Sequence, residues 1–263
     1  MSSAALTLWQ PRIALTRAAR LLPIVVLLAV WWTVCRFGWY SDKLLVPPAD
    51  VWSAFTELRD SGELAMHVSA SLHRLGFGVA IGAATGLLFG TLMGLFRGFE
   101  TYTAPTFNVV RQVPSVALIP VFILIFGIGE TFKILIVVKA AFFPVALAAY
   151  NAVQGLSKQY FEVARIYQLP TPALFARIVL PATVPPIVTG IRLALSRSWA
   201  TLVAAELLAA ESGIGQMMEF GRQMFRIDVV MVGVLIAGGI GFALDRALKL
   251  IEARLVRWRP VAH

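Results

Sequence analysis

The chain has 263 residues, of which 59% are hydrophobic and 14% are charged. Soluble domains carry about 25% charged residues, so this composition excludes an ordinary soluble domain and favours an integral membrane protein. A net charge of +9 would fit nucleic-acid binding, but the basic residues concentrate in alternate loops, which is typical of membrane topology and argues against a nucleic-acid partner. Cys35 is the only cysteine, which excludes an intrachain disulfide and argues against a cysteine-based metal site.

The first apolar run, residues 21–35, follows a basic N-terminal stretch. A cleaved signal peptide would have these features, but the residues after the run offer no small-x-small cleavage site. The tryptophan and tyrosine residues between positions 31 and 40 are instead typical of the aromatic belt at a membrane interface. The sequence therefore favours a retained first transmembrane helix over a signal peptide.

The second apolar run, residues 75–96, is uncharged and about long enough to span a bilayer. The preceding residues 40–71 are polar, and 49–64 are predicted to form a short amphipathic helix on the membrane. A glycine recurs at every fourth position of the apolar run, a spacing that lets a neighbouring helix approach closely. The sequence therefore predicts a helix-packing groove formed by Gly78, Gly82, Gly86, Gly90 and Gly94.

The third apolar run, residues 112–129, contains Pro114 and Pro120 and is predicted to be bent or broken. Three more transmembrane helices are predicted at 131–150, 187–210 and 229–244. Lysine and arginine are more frequent in the loops on the side of the N-terminus, so the positive-inside rule places both termini and the loop 151–186 in the cytoplasm. The predicted fold class is an all-α integral membrane protein with six transmembrane helices.

The loop 151–186 contains a spaced motif. The segment EVA is followed after three residues by Gln168 and, after nine more, by I-x-L-P. This pattern resembles the cytoplasmic coupling loop of ABC importer permeases, E-A-A-x3-G-x9-I-x-L-P, with Val163 in place of alanine and Gln168 in place of glycine. The loop is predicted to fold as two short helices, because Leu169-Pro170 ends one helical stretch and Thr171-Pro172 can begin the next.

By that resemblance, the loop seats in a cleft of an ATPase subunit. The residues that carry this prediction are Glu162, Val163, Ala164, Arg165, Gln168, Leu169, Ile178, Leu180 and Pro181. The resemblance continues over nearly the whole chain from about Leu45. The stretches LVPPADVW, SLHRLGFG and RQVPSVALIPVFILIFGIGETFKI are similar to the nitrate/sulfonate/taurine permease family, and SGELAMHVSASLHR is most similar to its aliphatic sulfonate branch.

The resemblance implies a type I ABC importer permease of the bacterial inner membrane. It implies a second copy of the chain, two cytoplasmic ATPase subunits that use ATP and Mg, and an extracytoplasmic substrate-binding protein. The chain has no G-x4-G-K-[ST] motif, so it is predicted to be neither an enzyme nor a cofactor-binding protein by itself. The predicted division is an N-terminal arm and first helix at 1–66, a permease domain at 67–251 and a basic tail at 252–263.

Charged residues inside predicted spans are functional hypotheses, because burying charge in a membrane is costly. Glu206 is expected to face the transport path or an arginine beside it, such as Arg192 or Arg197, and Trp199 is expected on the same wall. With Pro114 and Pro120 of the broken segment, these residues form the candidate path or gate. The alternatives are a purely structural pairing of Glu206 and arginines that snorkel to lipid phosphates.

Three residues at the outer ends of predicted spans are interpreted as interface residues. Lys133 is predicted to snorkel at the membrane surface, and His67 and His73 are predicted to be polar interface residues at one end of the second helix.

The rival functions are import of taurine, nitrate or an aromatic acid, and a membrane scaffold that docks a cytoplasmic partner without transporting a solute.

Overall fold

The fold is built from helices. The computed structural model describes residues 10–38, 45–156, 159, 162, 166–168, 170–174 and 179–255, and every regular element among them is helical. A 3-10 turn, Val116–Leu118, precedes α5. The α-helices are α1 Gln10–Arg36, α2 Pro48–Asp60, α3 Glu63–Leu95, α4 Arg97–Val110, α5 Ile119–Phe126, α6 Glu130–Gln154, α7 Thr171–Leu174, α8 Leu180–Ala209, α9 Ile214–Gln223 and α10 Ile227–Leu255.

Four helical stretches of the described chain are long and apolar enough to cross a membrane. They are α3, α6, the stretch Leu180–Gln223 that contains α8 and α9, and α10. Two shorter apolar stretches, Val25–Arg36 and Val116–Phe126, fall in the first and third predicted spans. An all-helical membrane fold is therefore confirmed, whereas the count of six spans and the cytoplasmic position of the termini stay predictions.

The glycine side of α3 packs against α6. A methyl group on Gly82 would lie 2.6 Å from the Val138 carbonyl oxygen, and one on Gly86 would lie 2.6 Å from that of Phe142. Gly78, Gly90 and Gly94 face α6 in the same way, so the two backbones approach closely over about five turns. This close approach is the small-xxx-small mode of helix packing in membranes.

Leucine at position 86 should destabilise the α3–α6 pair. Its side chain has no space beside Phe142, and overpacking typically costs about 1–3 kcal/mol. We expect Gly86→Leu to lower the temperature of unfolding in detergent, measured by the fluorescence of a thiol dye or by size-exclusion chromatography after heating. Gly76→Leu is the matched control, because no atom of the described structure lies within 4 Å of a methyl group placed there. Equal stability of the two variants would contradict the packing role.

The described helices are in general longer than predicted, and the earlier starts of α3 and α8 have the largest consequences. Helix α3 begins at Glu63, twelve residues before the predicted start, because its polar first turns find partners in other helices. Helix α8 begins at Leu180, so the end of the predicted loop, 181–186, is helical. Pro181 lies in the first turn of α8, where its missing N–H breaks no intrahelical bond, and Pro185 and Pro186 continue the helix.

The third apolar run is broken, as predicted. The Val116–Leu118 turn and the eight-residue α5 replace a continuous span, and Pro120 lies in the first turn of α5. The predicted amphipathic helix exists as α2, whose buried face contacts α10 and α9 through Val51, Ala54 and Leu58. The centre of the bundle is apolar and joins α3, α6, α8 and α9.

Candidate functional site

Glu206 lies near the C-terminal end of α8 and is almost completely buried, with 1% of its surface exposed. Its carboxylate accepts hydrogen bonds from the Ser71 hydroxyl at 2.8 Å, from Arg74 Nη1 at 2.8 Å and from the backbone N–H of Gly215 at 3.1 Å. A buried carboxylate is tolerated only when its charge and lone pairs are satisfied in this way. Glu206 therefore faces an arginine and not lipid.

Arg74 links Glu206 to a second carboxylate. The guanidinium donates to both oxygens of Glu130 at 2.6 and 2.7 Å, and to the carbonyl and hydroxyl oxygens of Ser212 at 2.7 and 2.6 Å. Lys133 Nζ lies 2.9 Å from Glu130, and its side chain is 3% exposed. Lys133 is thus buried and not extended to a membrane surface as predicted, and it pairs with Glu130, whose side chain is 57% exposed.

The connector between α8 and α9 is held by the same set of residues. The Gly213 N–H donates to His67 Nδ1 at 3.1 Å, and the Ile214 N–H donates to Ser71 Oγ at 3.0 Å. His67 is buried, so its predicted position as an interface residue is wrong. We call Arg74, Glu130, Lys133, Glu206, Ser71 and His67 the charge network; it fixes the connector to α3 and α6.

The arginines predicted to pair with Glu206 lie elsewhere. Arg197 is nine residues from Glu206 and Arg192 fourteen, which at 1.5 Å per residue separates them by about 13 and 21 Å along α8. Arg192 pairs instead with Glu252 at 2.8 Å and with Asp245 at 3.6 Å, both on α10. The observed partner, Arg74, precedes the predicted second span at 75–96, and only the earlier start of α3 places it within a helix of the bundle.

Trp199 also lies away from Glu206. Its Nε1 donates to the Ala237 carbonyl of α10 at 3.0 Å, and its ring packs beside Gly241. The side chain is 7% exposed and belongs to the central core. Trp199 thus packs α8 on α10, and neither Trp199 nor Glu206 lines either cavity.

Two adjoining cavities of about 680 and 340 Å³ open between α4, α6, α8 and the broken segment. They share Arg111, Phe143, Pro144 and Arg197 in their linings. The larger also contacts polar Gln112, Asn151 and Thr189, and the smaller contacts Pro114, Ser115, Lys139 and Thr201. Arg197 and Pro114, predicted path residues, thus line a cavity, whereas Pro120 lies exposed on α5 and Arg192, Trp199 and Glu206 line neither cavity.

The predicted coupling loop is described only in part. Glu162, Ile166 and Tyr167 are exposed, and Leu180 is half exposed at the start of α8, with Pro181 next to it. Gln168 has a backbone φ of 48°, the left-handed region that the family glycine would favour, so the replacement retains this backbone angle. Val163, Ala164, Arg165, Leu169 and Ile178 lie outside the described residues.

The apolar helices, the broken segment and the cation-lined cavities define a helical membrane transport protein. Residues 82–257 match the model of the family described as binding-protein-dependent transport system inner membrane component, and the chain belongs to that family of ABC importer permeases. It is 37% identical, over 91% of its length and 86% of the relative, to the putative aliphatic sulfonates transport permease protein SsuC of Bacillus subtilis.

A second relative and a solved structure are also similar to this chain. The chain is 33% identical to the taurine transport system permease protein TauC of Escherichia coli, over 89% of its own length and 87% of the relative. Its fold matches a chain of the MetNI methionine ABC transporter, solved in inward-facing conformations, with a TM-score of 0.54 and 20% identity over 70% of this chain and 94% of the other. That structural likeness supports the permease fold and says nothing about the solute.

Proposed function

We propose that the chain is the membrane subunit of an ATP-driven importer that passes a small organic anion, with an aliphatic sulfonate as the favoured substrate, into a bacterial cytoplasm. The observation that carries the substrate class is the pair of cavities lined by Arg111, Lys139 and Arg197. Positive charge along a path lowers the barrier for an anion without holding it in a closed site. The similarity to a sulfonate permease over 91% of the chain supports the same class.

The assembly that this function requires has three kinds of component. Two copies of this chain enclose the path in the inner membrane, two ATPase subunits bind ATP and Mg in the cytoplasm, and a binding protein delivers the anion from outside. The chain itself contributes the path and the docking loop and carries no cofactor. The cavities open on one side of the described structure, between α4, α6 and α8, and we assign that side to the second copy.

The assignment is tested by reconstitution. The chain, its genomically adjacent ATPase and its adjacent binding protein are assembled in vesicles with internal ATP, and uptake of ethanesulfonate, taurine and nitrate is compared. We expect ATP hydrolysis that rises when the binding protein is added, together with uptake of ethanesulfonate in preference to the other two. Preferred uptake of taurine, a candidate raised by the similarity to TauC, would keep the importer and change the substrate. ATPase binding without uptake of any solute would favour a scaffold.

Arginine at position 164 should uncouple ATP hydrolysis from transport. Ala164 corresponds to an alanine of the coupling-loop pattern, and a long charged side chain there is expected to prevent a helix from seating in a closely fitting groove. We expect Ala164→Arg to insert normally but to lose co-purification with the ATPase and ATP-driven uptake. Ala164→Ser, which is small and uncharged, is the control and should retain both. Normal uptake by the arginine variant would show that this loop does not dock the ATPase.

A further inference from the structure

Positive charge is concentrated on one side of the bundle. Arg111 follows α4, Lys139 belongs to α6 and Arg197 belongs to α8. Both arginines line the two adjoining cavities, and Lys139 lines the smaller one. Among the described residues, no acidic side chain lines either cavity. In the same part of the chain, neither the Arg111 nor the Arg197 side chain has a hydrogen-bond or ion-pair partner. Three cations therefore share a cavity whose lining carries no balancing charge.

Three other cations of the described helices are balanced by carboxylates. Arg74 and Lys133 contact Glu130 and Glu206, and Arg192 contacts Glu252. Glu252 also accepts a hydrogen bond at 2.8 Å from Thr189, which lines the larger cavity, but Arg192 already neutralises that carboxylate. Arg111 and Arg197 differ from these three cations, because their side chains have no acidic partner among the described residues although they line a cavity.

Lys139 is held with its ammonium group at the cavity. Its Nζ donates to the Val113 carbonyl at 2.6 Å and lies 3.4 Å from Ser115 Oγ, 5.7 Å from the centre of the Phe143 ring. An ammonium group has three N–H donors, so one donor stays available beyond these two oxygens. The Val113–Ser115 segment includes Pro114, whose fixed φ limits movement of the carbonyl that orients the lysine. The cation is therefore positioned by the broken segment.

We propose that Arg111, Lys139 and Arg197 form an oxyanion subsite that takes the sulfonate or carboxylate group of a small free anion, with Ser115 and Thr201 as neutral hydrogen-bonding neighbours. Guanidinium and ammonium groups make charge-assisted hydrogen bonds to the oxygens of such anions. The exposed arginine side chains stay hydrated, so they bind the anion weakly and allow its release. As a step in transport the subsite rests on the proposed function, whereas the binding of an anion does not.

Anion binding is measured directly by fluorine NMR on the permease–ATPase complex in nanodiscs of zwitterionic phosphatidylcholine. The probe is trifluoromethanesulfonate, and trifluoroethanol is the uncharged control. We expect line broadening of the sulfonate alone, reduced by salt and displaced by ethanesulfonate. Each of Arg111→Gln, Lys139→Gln and Arg197→Gln should weaken binding about tenfold, since a hydrogen bond to a charged group contributes at least one such factor. Arg197→Lys should restore part of the loss.

Arg36→Gln is the matched control, because it removes one positive charge from the end of α1, outside both cavities. Equal broadening by wild type and by the triple glutamine variant would overturn the subsite, as would broadening of trifluoroethanol. Loss of the signal when anionic phosphatidylglycerol replaces the zwitterionic lipid would show that a lipid headgroup, not a free anion, occupies the cavity. A wild-type complex that binds the sulfonate but imports no anion would preserve the subsite and refute the proposed function.

Discussion

Glu206→Gln is expected to lower the stability of the purified permease strongly. The two carboxylate oxygens of Glu206 face donors on both sides, Arg74 on one and the Gly215 N–H on the other. A glutamine must turn its NH2 group toward one of these donors, so one donor loses its acceptor. Removing one partner of a buried ion pair costs about 3–5 kcal/mol when the remaining charge is left without compensation. Because Arg74 keeps its contacts with Glu130, we expect a loss at the lower end of that range.

The measurement is thermal unfolding in detergent with a double-mutant cycle that combines Glu206→Gln and Arg74→Gln. The double variant is expected to lose clearly less stability than the two single variants together, since the second substitution removes the donor that the first leaves without an acceptor. The matched control is Glu57→Gln with Arg226→Gln, an ion pair at 2.8 Å whose side chains are 59% and 41% exposed. Arg226 lowers the pKa of Glu57, chiefly through their hydrogen bond, but solvent screens this exposed pair, and its coupling should be much smaller.

A different result would change the role of the charge network. If Glu206→Gln unfolds at the wild-type temperature but reduces binding-protein-stimulated ATP hydrolysis, Glu206 acts in the transport cycle and not in holding the bundle together. The structure favours stability as the first effect, because the carboxylate is fully engaged by Ser71, Arg74 and Gly215 and does not line either cavity.

The features that follow from local spacing could be predicted from the sequence. A glycine at every fourth position leaves one side of a helix without side chains, and that side of α3 packs against α6. Two prolines six residues apart predicted a break, and the third apolar run is divided into a 3-10 turn and α5. In both cases the signal depends only on residues within a few turns of one helix.

The pairing of charges could not be predicted, because it depends on contacts between distant parts of the chain. Arg74 and Glu206 are separated by 132 residues, and Ser212 joins the pair from a connector with no helical pattern. Proximity in sequence favoured Arg197 and Arg192, although they lie too far along α8 to reach Glu206. The grouping of three cations in one cavity could not be predicted for the same reason. Arg111, Lys139 and Arg197 come together only when α4, α6 and α8 have packed.

Gly213→Ala is expected to prevent the connector from closing on the charge network. Gly213 has φ 116° and ψ 164°, a backbone region that glycine alone adopts readily. A methyl group there would overlap the carboxylate of Glu206, while the Gly213 N–H must still reach His67 Nδ1 at 3.1 Å. The alanine variant therefore bears both backbone strain and a collision, and we expect low yield and early unfolding in detergent.

Gly127→Ala separates these two costs. Gly127 ends α5 with φ 76° and ψ 174°, in the same glycine region, but no atom of the described structure lies within 4 Å of its added methyl group. Replacing Gly127 by alanine should cost only the free energy of backbone strain, about 1–3 kcal/mol. The difference in unfolding temperature between the two variants then reports the collision with Glu206. Equal losses would mean that the Glu206 carboxylate moves aside easily, and the charge network would not be the rigid link between the connector and α3 that its hydrogen bonds indicate.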